Sequence, residues 1–175
     1  YFLGGNDVAR DNPEIKTFTC PITGKQAWAV PAAKPDAVVI HAWRADKYGN
    51  VQIQERSMLP QYLNVDMARA CRNLIVTVEE IVDTEVIKQS PQLTLIPAFR
   101  TAAVCLVPHG SHPTATVACT EEDGNHFETY VAASDSSEHF DAYLDEYIRG
   151  TKDFSAYLEK IGKAHLKELE VAAHV

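Results

Sequence analysis

The chain lacks any apolar run long enough to cross a bilayer, since its longest, Ala37 to Ala42 and Ala102 to Pro108, are strand-sized. It also lacks a basic surplus. Lys and Arg number 16 against 24 Asp and Glu, a formal charge of -8. A phosphate backbone is gripped by clustered cations, so no nucleic-acid partner is expected. Cysteine is sparse: Cys20, Cys71, Cys105 and Cys119 stand far apart with no C-x-x-C pair. That spacing excludes a disulfide framework and a zinc site, and reads as buried thiols in a reducing compartment. No P-loop, G-x-G-x-x-G or G-x-S-x-G occurs, so neither a phosphate-cradling loop nor a serine-hydrolase elbow is signalled. Tyr1 to Arg10 carries no signal peptide, which points to a cytoplasmic location. The first residue is Tyr rather than Met, and Phe2-Leu3-Gly4-Gly5 reads as mid-protein sequence. The expectation is one domain, residues 1–175, forming the C-terminal portion of a longer chain.

What is present is an ordinary globular composition, 46% hydrophobic and 23% charged, with length enough to bury roughly 70% of the unfolded surface. The first 25 residues read as irregular, with turn signals at Gly4-Gly5-Asn6-Asp7, Asp11-Asn12-Pro13 and Thr23-Gly24. Asp36 to Ala42 has the continuous apolar character of a parallel strand covered on both faces. Val51 to Gln54 alternates like a short half-exposed strand. Pro60 opens a helix whose apolar face is Leu63, Met67, Cys71 and Leu74. Strands are expected at Asn73 to Glu79, near Leu93 to Ile96 and, buried, at Thr101 to Pro108, with a short helix after Asp83. Helix and buried strand recurring with short links predict α/β layering and a mainly parallel sheet. The last fifty residues turn helical. Asp135 and Glu138 read as N-cap and N3, and Gly150 as a left-handed helix end. Thr151 reads as the next cap, and Lys163 to Val175 as an extension or a frayed tail. That segment reads as packing without chemistry.

The densest polar group is His41 to Asn50, just after a buried strand, where open parallel sheets form ligand crevices. Arg44 suits a carboxylate or phosphate through its planar fork. The alternative is that Arg44 and Asp46 pair with each other or cap backbone groups, with Tyr48-Gly49-Asn50 as a tight turn. Glu79 and Glu80 close a strand and point to opposite faces, so they are not an obvious acid/base pair. Either is a nucleophile or base only if burial raises its pKa, and otherwise a helix N-terminal acid. His109 and His112 lie within reach of one metal, but a zinc site needs three or four ligands. Asp123 and His126 complete one only if the loop folds back, so no metal is expected. Gly110 allows close backbone approach, and His112-Pro113 shapes the loop.

These runs, taken in order, resemble a known family. Pro35 to Asn50 is similar to the P-D-x-A-I-I-H-A-x-R-A-D-x-x-G-N stretch of the alpha subunit of family I CoA-transferases. Ile75 to Val82, Val107 to Pro113, and Tyr147-Ile148-Arg149-Gly150 followed by Phe154 and Tyr157 agree in the same order. Leu3 to Asp7 and Cys20-Pro21 resemble the preceding segment of glutaconate-type alpha subunits. A glycine-rich G-x-x-G-x-P segment expected near an alpha subunit's start is missing, which fits a chain without its N-terminal part.

The resemblance implies a three-layer αβα fold of the NagB/RpiA/CoA-transferase kind, with a mainly parallel sheet and a helical C-terminal segment. It implies a heterodimer or heterotetramer with a beta subunit of similar fold. The implied reaction moves coenzyme A from an acyl-CoA to a small free carboxylic acid, with no permanently bound cofactor and the coenzyme A thioester as substrate. The thioester is attacked by a glutamate normally carried by the beta subunit, giving an acyl anhydride and then a glutamyl-CoA thioester. The nucleophile is therefore not assigned to Glu79 or Glu80. His41, Arg44, Asp46, Asn50, Glu79, Glu80, Gly110 and His112 are the candidates for crevice walls. Two other readings stand beside it: a ring-opening or thioester hydrolase of the same architecture, and a non-catalytic partner subunit.

Overall fold

The computed structural model describes residues 7–53, 59–117 and 119–171, with the backbone alone for 59–64. The turn at Gly4-Gly5-Asn6, the strand end at Gln54 and the side chain of Leu63 lie outside the described residues. Two units are distinct, residues 1–35 and 36–175.

The first unit is more regular than its turn signals suggested. A short helix α1 (Asp7–Asp11) precedes strands β1 (Lys16–Thr19) and β2 (Gln26–Ala29). The strands pair antiparallel from Lys16 opposite Ala29 to Thr19 opposite Gln26. Thr-Phe-Thr and Trp28 supply the β-branched and aromatic residues that strands favour. Gly24, at φ 68°, supplies the left-handed turn conformation that closes the hairpin. Turn residues here punctuate a hairpin rather than an irregular segment.

In the second unit, β3 (Val38–Asp46), β4 (Val51–Gln52), α2 (Leu59–Ala70), β5 (Leu74–Val82), α3 (Thr84–Gln89), β6 (Thr94–Ile96) and β7 (Thr101–Leu106) build one five-stranded sheet and two of its helices. Strand order is β6-β4-β3-β5-β7. The β3–β5 and β5–β7 pairs are parallel, whereas β4 runs antiparallel to β3 and β6. The sheet is thus mixed. The tight turn Asp46 to Asn50, with Gly49 at φ 94°, reverses the chain directly into β4, and a hairpin can only pair antiparallel.

Side chains that pair across parallel strands share a face. Val38, Ile40 and Ala42 of β3 with Leu74, Val76 and Val78 of β5 form the buried face, packed against Val65, Ala68 and Cys71. The helix α2 therefore buries Val65 and Ala68, and Cys71 just past its end continues the stripe. Met67, expected in the core, is 37% exposed, and Leu74 belongs to the next strand. Coverage of both faces is not found: on the opposite face Val39 is 63% exposed, and Ala103 and Cys105 beside it are exposed. Nor is β7 buried. It is the edge strand, and an apolar run does not distinguish an edge from a centre. Val51 and Gln52 are both buried rather than half-exposed, because β4 lies between two strands.

The C-terminal region contains α4 (Gly124–Ala133), α5 (Ser137–Leu144), a π-turn at Asp145–Arg149, α6 (Phe154–Ile161) and α7 (Lys163–Glu168). The caps fall one or two residues from their expected places. Ser136 caps α5 by accepting from the His139 N–H, and Asp153 caps α6 by accepting from Ala156. Thr151 instead donates to the Tyr147 and Ile148 carbonyls. Gly150 is right-handed, at φ -80°. A Cβ there would collide with the Asp145 carbonyl, which already accepts the Gly150 N–H. Glycine is needed for close approach, not for a left-handed turn. Gly162, at φ 99°, separates α6 from α7, so the tail is a new helix.

Candidate functional site

Mid-strand residues of β3 and β5, His41 and Glu79, come together on the face opposite the core, at the level where β7 ends with Leu106 opposite Val78. Each parallel pairing step keeps His41 beside Thr77, and the strand's period of two puts Glu79 on the same side as Thr77. His41 Nε2 donates to Glu79 Oε1 at 2.8 Å, and His41 Nδ1 lies 2.8 Å from Thr77 Oγ1. Two bonds on opposite ring nitrogens fix the imidazole plane. The side chains are only 14% and 11% exposed.

Glu79 receives two further donors from the loop after β7. Thr116 Oγ1 donates to Oε1 at 3.0 Å, and the His109 N–H donates to Oε2 at 2.8 Å. Burial alone pushes the carboxyl's pKa up. The hydrogen bonds from His41 and the His109 N–H, the neighbouring imidazole and Thr116 outweigh it, and the net shift is downward. The carboxylate is an anion with two donors on Oε1 and one on Oε2. His109 holds φ 59°, a left-handed conformation uncommon outside glycine. Gly110 follows it and lies against the His41 ring, where an added Cβ would stand 2.7 Å from Cε1. His41, Glu79 and Gly110, selected on separate grounds, thus meet in one place.

The other candidates lie elsewhere. Asp46 is fully buried and accepts from the Tyr48 and Asn50 N–H groups, Asn50 Nδ2 and Thr84 Oγ1. Burial raises its pKa, but these donors lower it further, so it caps a turn as an anion. Asn50 Oδ1 accepts from the Ala98 N–H, tying that turn to the segment before β7. Arg44 does not pair with Asp46. Its Nε donates to Gln52 Oε1 at 2.8 Å, and its guanidinium lies 3.7 Å from the centre of the Trp43 ring. Glu80 is exposed, on the strand face opposite Glu79, and its charge acts on Arg44.

His112 anchors a second polar cluster. Its Nε2 donates to Asp123 Oδ2 at 3.0 Å and its Nδ1 is 2.6 Å from the Tyr157 hydroxyl. Asp123 also accepts from His165 Nε2 at 2.7 Å and from the His126 N–H at 3.0 Å. Burial raises this carboxyl, yet the surrounding hydrogen bonds take it down to about 2. Burial pushes the Tyr157 phenol up to about 12. The loop does fold back, since the Asp123 N–H donates to the Pro113 carbonyl. Among the described residues, no group of three or more His, Cys, Asp or Glu is placed to hold a metal ion. Thr77, Thr116, Tyr157 and His165 carry no site signal in the sequence. Only Asp123 and His126 carry one, as possible ligands of a folded-back loop. No helix among the described residues is long and apolar enough to cross a membrane.

A largely buried polar cluster on one face of two parallel strands, roofed by the loop that follows β7, is set in an α/β fold. The coenzyme A transferase family model matches residues 5–106, and the chain belongs to that family. It is 42% identical over 161 residues to the A-subunit of the 3-oxoadipate CoA-transferase of Pseudomonas knackmussii, covering 91% of this chain and 54% of that one. It superposes with a TM-score of 0.82 on the solved glutaconate coenzyme A-transferase of Acidaminococcus fermentans, at 32% identity, covering 93% of this chain and 50% of that one. A more distant relative is the cholesterol ring-cleaving hydrolase IpdA subunit of Rhodococcus jostii, 26% identical, covering 91% of this chain and 56% of that one. The chain spans about half the length of the relatives it matches.

Proposed function

We propose that this chain is part of the alpha subunit of an acyl-CoA:carboxylate CoA-transferase, working with a beta subunit that supplies the nucleophilic glutamate. The observation that carries this division of labour is the state of Glu79. Both its oxygens are occupied by donors, and its pKa is held down. A carboxylate so stabilised is a weak nucleophile and a weak base. Its chemistry is to hold His41 and the His109 N–H, shaping a wall.

In the proposed reaction, the partner's glutamate carboxylate attacks the thioester carbonyl and expels the CoA thiolate, leaving an acyl anhydride. The thiolate attacks the glutamyl carbonyl of that anhydride, releasing the first carboxylic acid and forming a glutamyl-CoA thioester. The acceptor carboxylate then runs the same two steps in reverse. His41, Glu79 and Gly110 line the crevice, with Arg44, Asp46, Asn50, Glu80 and His112 holding the loops around it. The enzyme works in the cytoplasm and needs no permanently bound cofactor, since coenzyme A enters as substrate.

A second reading, acyl-CoA hydrolysis with ring opening, is favoured by the similarity to the ring-cleaving hydrolase subunit. One experiment separates the two. The protein, purified with its partner, is incubated with a panel of acyl-CoA esters, treated with borohydride and mapped by peptide mass spectrometry. A glutamate of the partner reduced to the alcohol supports transfer. Acyl-CoA loss in water with nothing trapped supports hydrolysis. Trapping at Glu79 overturns the proposed division of labour.

A further inference from the structure

The turn His109 to His112 is held at both ends by carboxylates, the largely buried Glu79 and the buried Asp123. At its start, the chain leaves β7 and the Val107 N–H donates to the Val78 carbonyl at 2.9 Å, seating the loop on β5. The His109 N–H then reaches Glu79. Within the turn, Gly110 donates to the Val107 carbonyl and His112 to the His109 carbonyl, each at 3.0 Å. At its end, the His112 side chain, 4% exposed, is fixed between Asp123 and Tyr157. A non-glycine residue at φ 59° persists only where its surroundings over-determine it, and here both neighbouring anchors do so.

We propose that Asp123, His112 and Tyr157 are positioning residues, which hold this turn so that the His109 N–H stays on Glu79. None of the three touches Glu79; they act through the backbone of the turn. Asp123 is fixed in turn by the His126 N–H, by His165 and by its own N–H on Pro113. An ionised Asp123 side chain only accepts, so His112 Nε2 is the donor. In the neutral ring Nδ1 then accepts from the Tyr157 hydroxyl. Tyr157 belongs to α6 and His165 to α7. The C-terminal helices thereby reach the turn over Glu79, although they contribute no side chain to Glu79 itself.

The test reads Glu79 directly. Around it stand His41 from β3, the His109 N–H and Thr116 from the loop, and Cys119, whose thiol feels the charges of both Glu79 and Glu80. Facing His112 are Asp123, Tyr157 and the His126 ring, whose centre is 5.2 Å away. Carboxyl carbon-13 NMR, with the signal assigned through Glu79→Gln, follows Glu79 through an acid titration. In Tyr157→Phe and Asp123→Asn the turn loosens, Glu79 loses a donor, and its midpoint moves up. In Ser136→Ala, which removes a helix cap outside this chain of contacts, the midpoint stays where it is. An unmoved Glu79 in folded Tyr157→Phe and Asp123→Asn overturns the proposal, as does an equal movement in Ser136→Ala.

The catalytic consequence rests on the CoA-transfer reading. In the assembled enzyme, Tyr157→Phe lowers kcat by about tenfold to a hundredfold while KM changes by less than about twofold, the pattern of lost positioning. A wild-type complex that transfers no CoA refutes the functional reading and leaves the Glu79 titration to decide this one.

Discussion

Gly110→Ala puts one methyl group at the tightest point of the site. The added Cβ would stand 2.7 Å from His41 Cε1, 2.8 Å from His41 Nδ1 and 2.8 Å from the Val107 carbonyl oxygen. Real Cβ atoms do not approach that closely, so something must move. The Val107 carbonyl is tied to the backbone of the same turn. The imidazole is pinned by Thr77 and Glu79, so it yields only by giving up a hydrogen bond to an ionised carboxylate. Overpacking costs about 1–3 kcal/mol, and a hydrogen bond to a charged group contributes about 1.5–3 kcal/mol. Residual overpacking together with the lost hydrogen bond thus destabilises the protein by about 2.5–6 kcal/mol. Urea unfolding of the variant should show a lower midpoint at unchanged slope, the sign of altered stability without an altered end state. The midpoint of Glu79 should rise at the same time. A loss below about 0.5 kcal/mol, within the range of an ordinary surface change, together with an unmoved Glu79, would refute the claim that Gly110 is required by His41.

Three more outcomes follow from the same contacts. The Asp123 carboxyl sits at about 2 when folded against an ordinary 3.8. The unfolded chain therefore takes up the proton first as pH falls, and about 2 kcal/mol of stability is present above pH 4 and lost toward pH 2. Unfolding curves of wild type and Asp123→Asn should converge over that window, and parallel curves would contradict it. Arg44→Ala removes the donor to Gln52 Oε1, whose fully buried amide otherwise spends its Nε2 on Ile87, Ser90 and Thr94. A loss of about 1–3 kcal/mol is expected, visible as a lower melting temperature; an unchanged melt would mean that water replaces the guanidinium. Burial and the charges of Glu79 and Glu80 push the Cys119 thiol up to about 12. Iodoacetamide at pH 8 should therefore modify exposed Cys105 well before Cys119, and peptide mass spectrometry showing the reverse order would count against that electrostatic reading.

Beyond the hairpin of residues 16–29, the sequence by itself determined where most strands and helices fall, because those choices rest on local patterns. Apolar β-branched runs at Val38–Ile40 and Leu74–Val78, the glycine at position 49 and the polar residues closing each strand were legible one residue at a time. So was the separation of Glu79 from Glu80, since successive side chains in any strand point to opposite faces. The tertiary structure decided everything that depends on neighbours in space. An apolar run reads alike in a central and an edge strand, so β7 and the open face at Val39 were invisible until the strand order was known. Arg44 found Gln52 rather than Asp46, because a hairpin register, not sequence distance, sets who stands opposite whom. Apart from the family likeness of Tyr147 to Gly150, Phe154 and Tyr157, the C-terminal helices carried a packing signal, an apolar stripe at helical spacing. Tyr157 and His165 lie on those helices, 34 and 42 residues beyond the Asp123 they surround. Tyr157 bonds His112 and His165 bonds Asp123, a long-range hydrogen-bond network, and hydrogen bonds leave no periodicity in a sequence. That is why the anion at the crevice could be named from its strand, while the contacts that keep it charged could not.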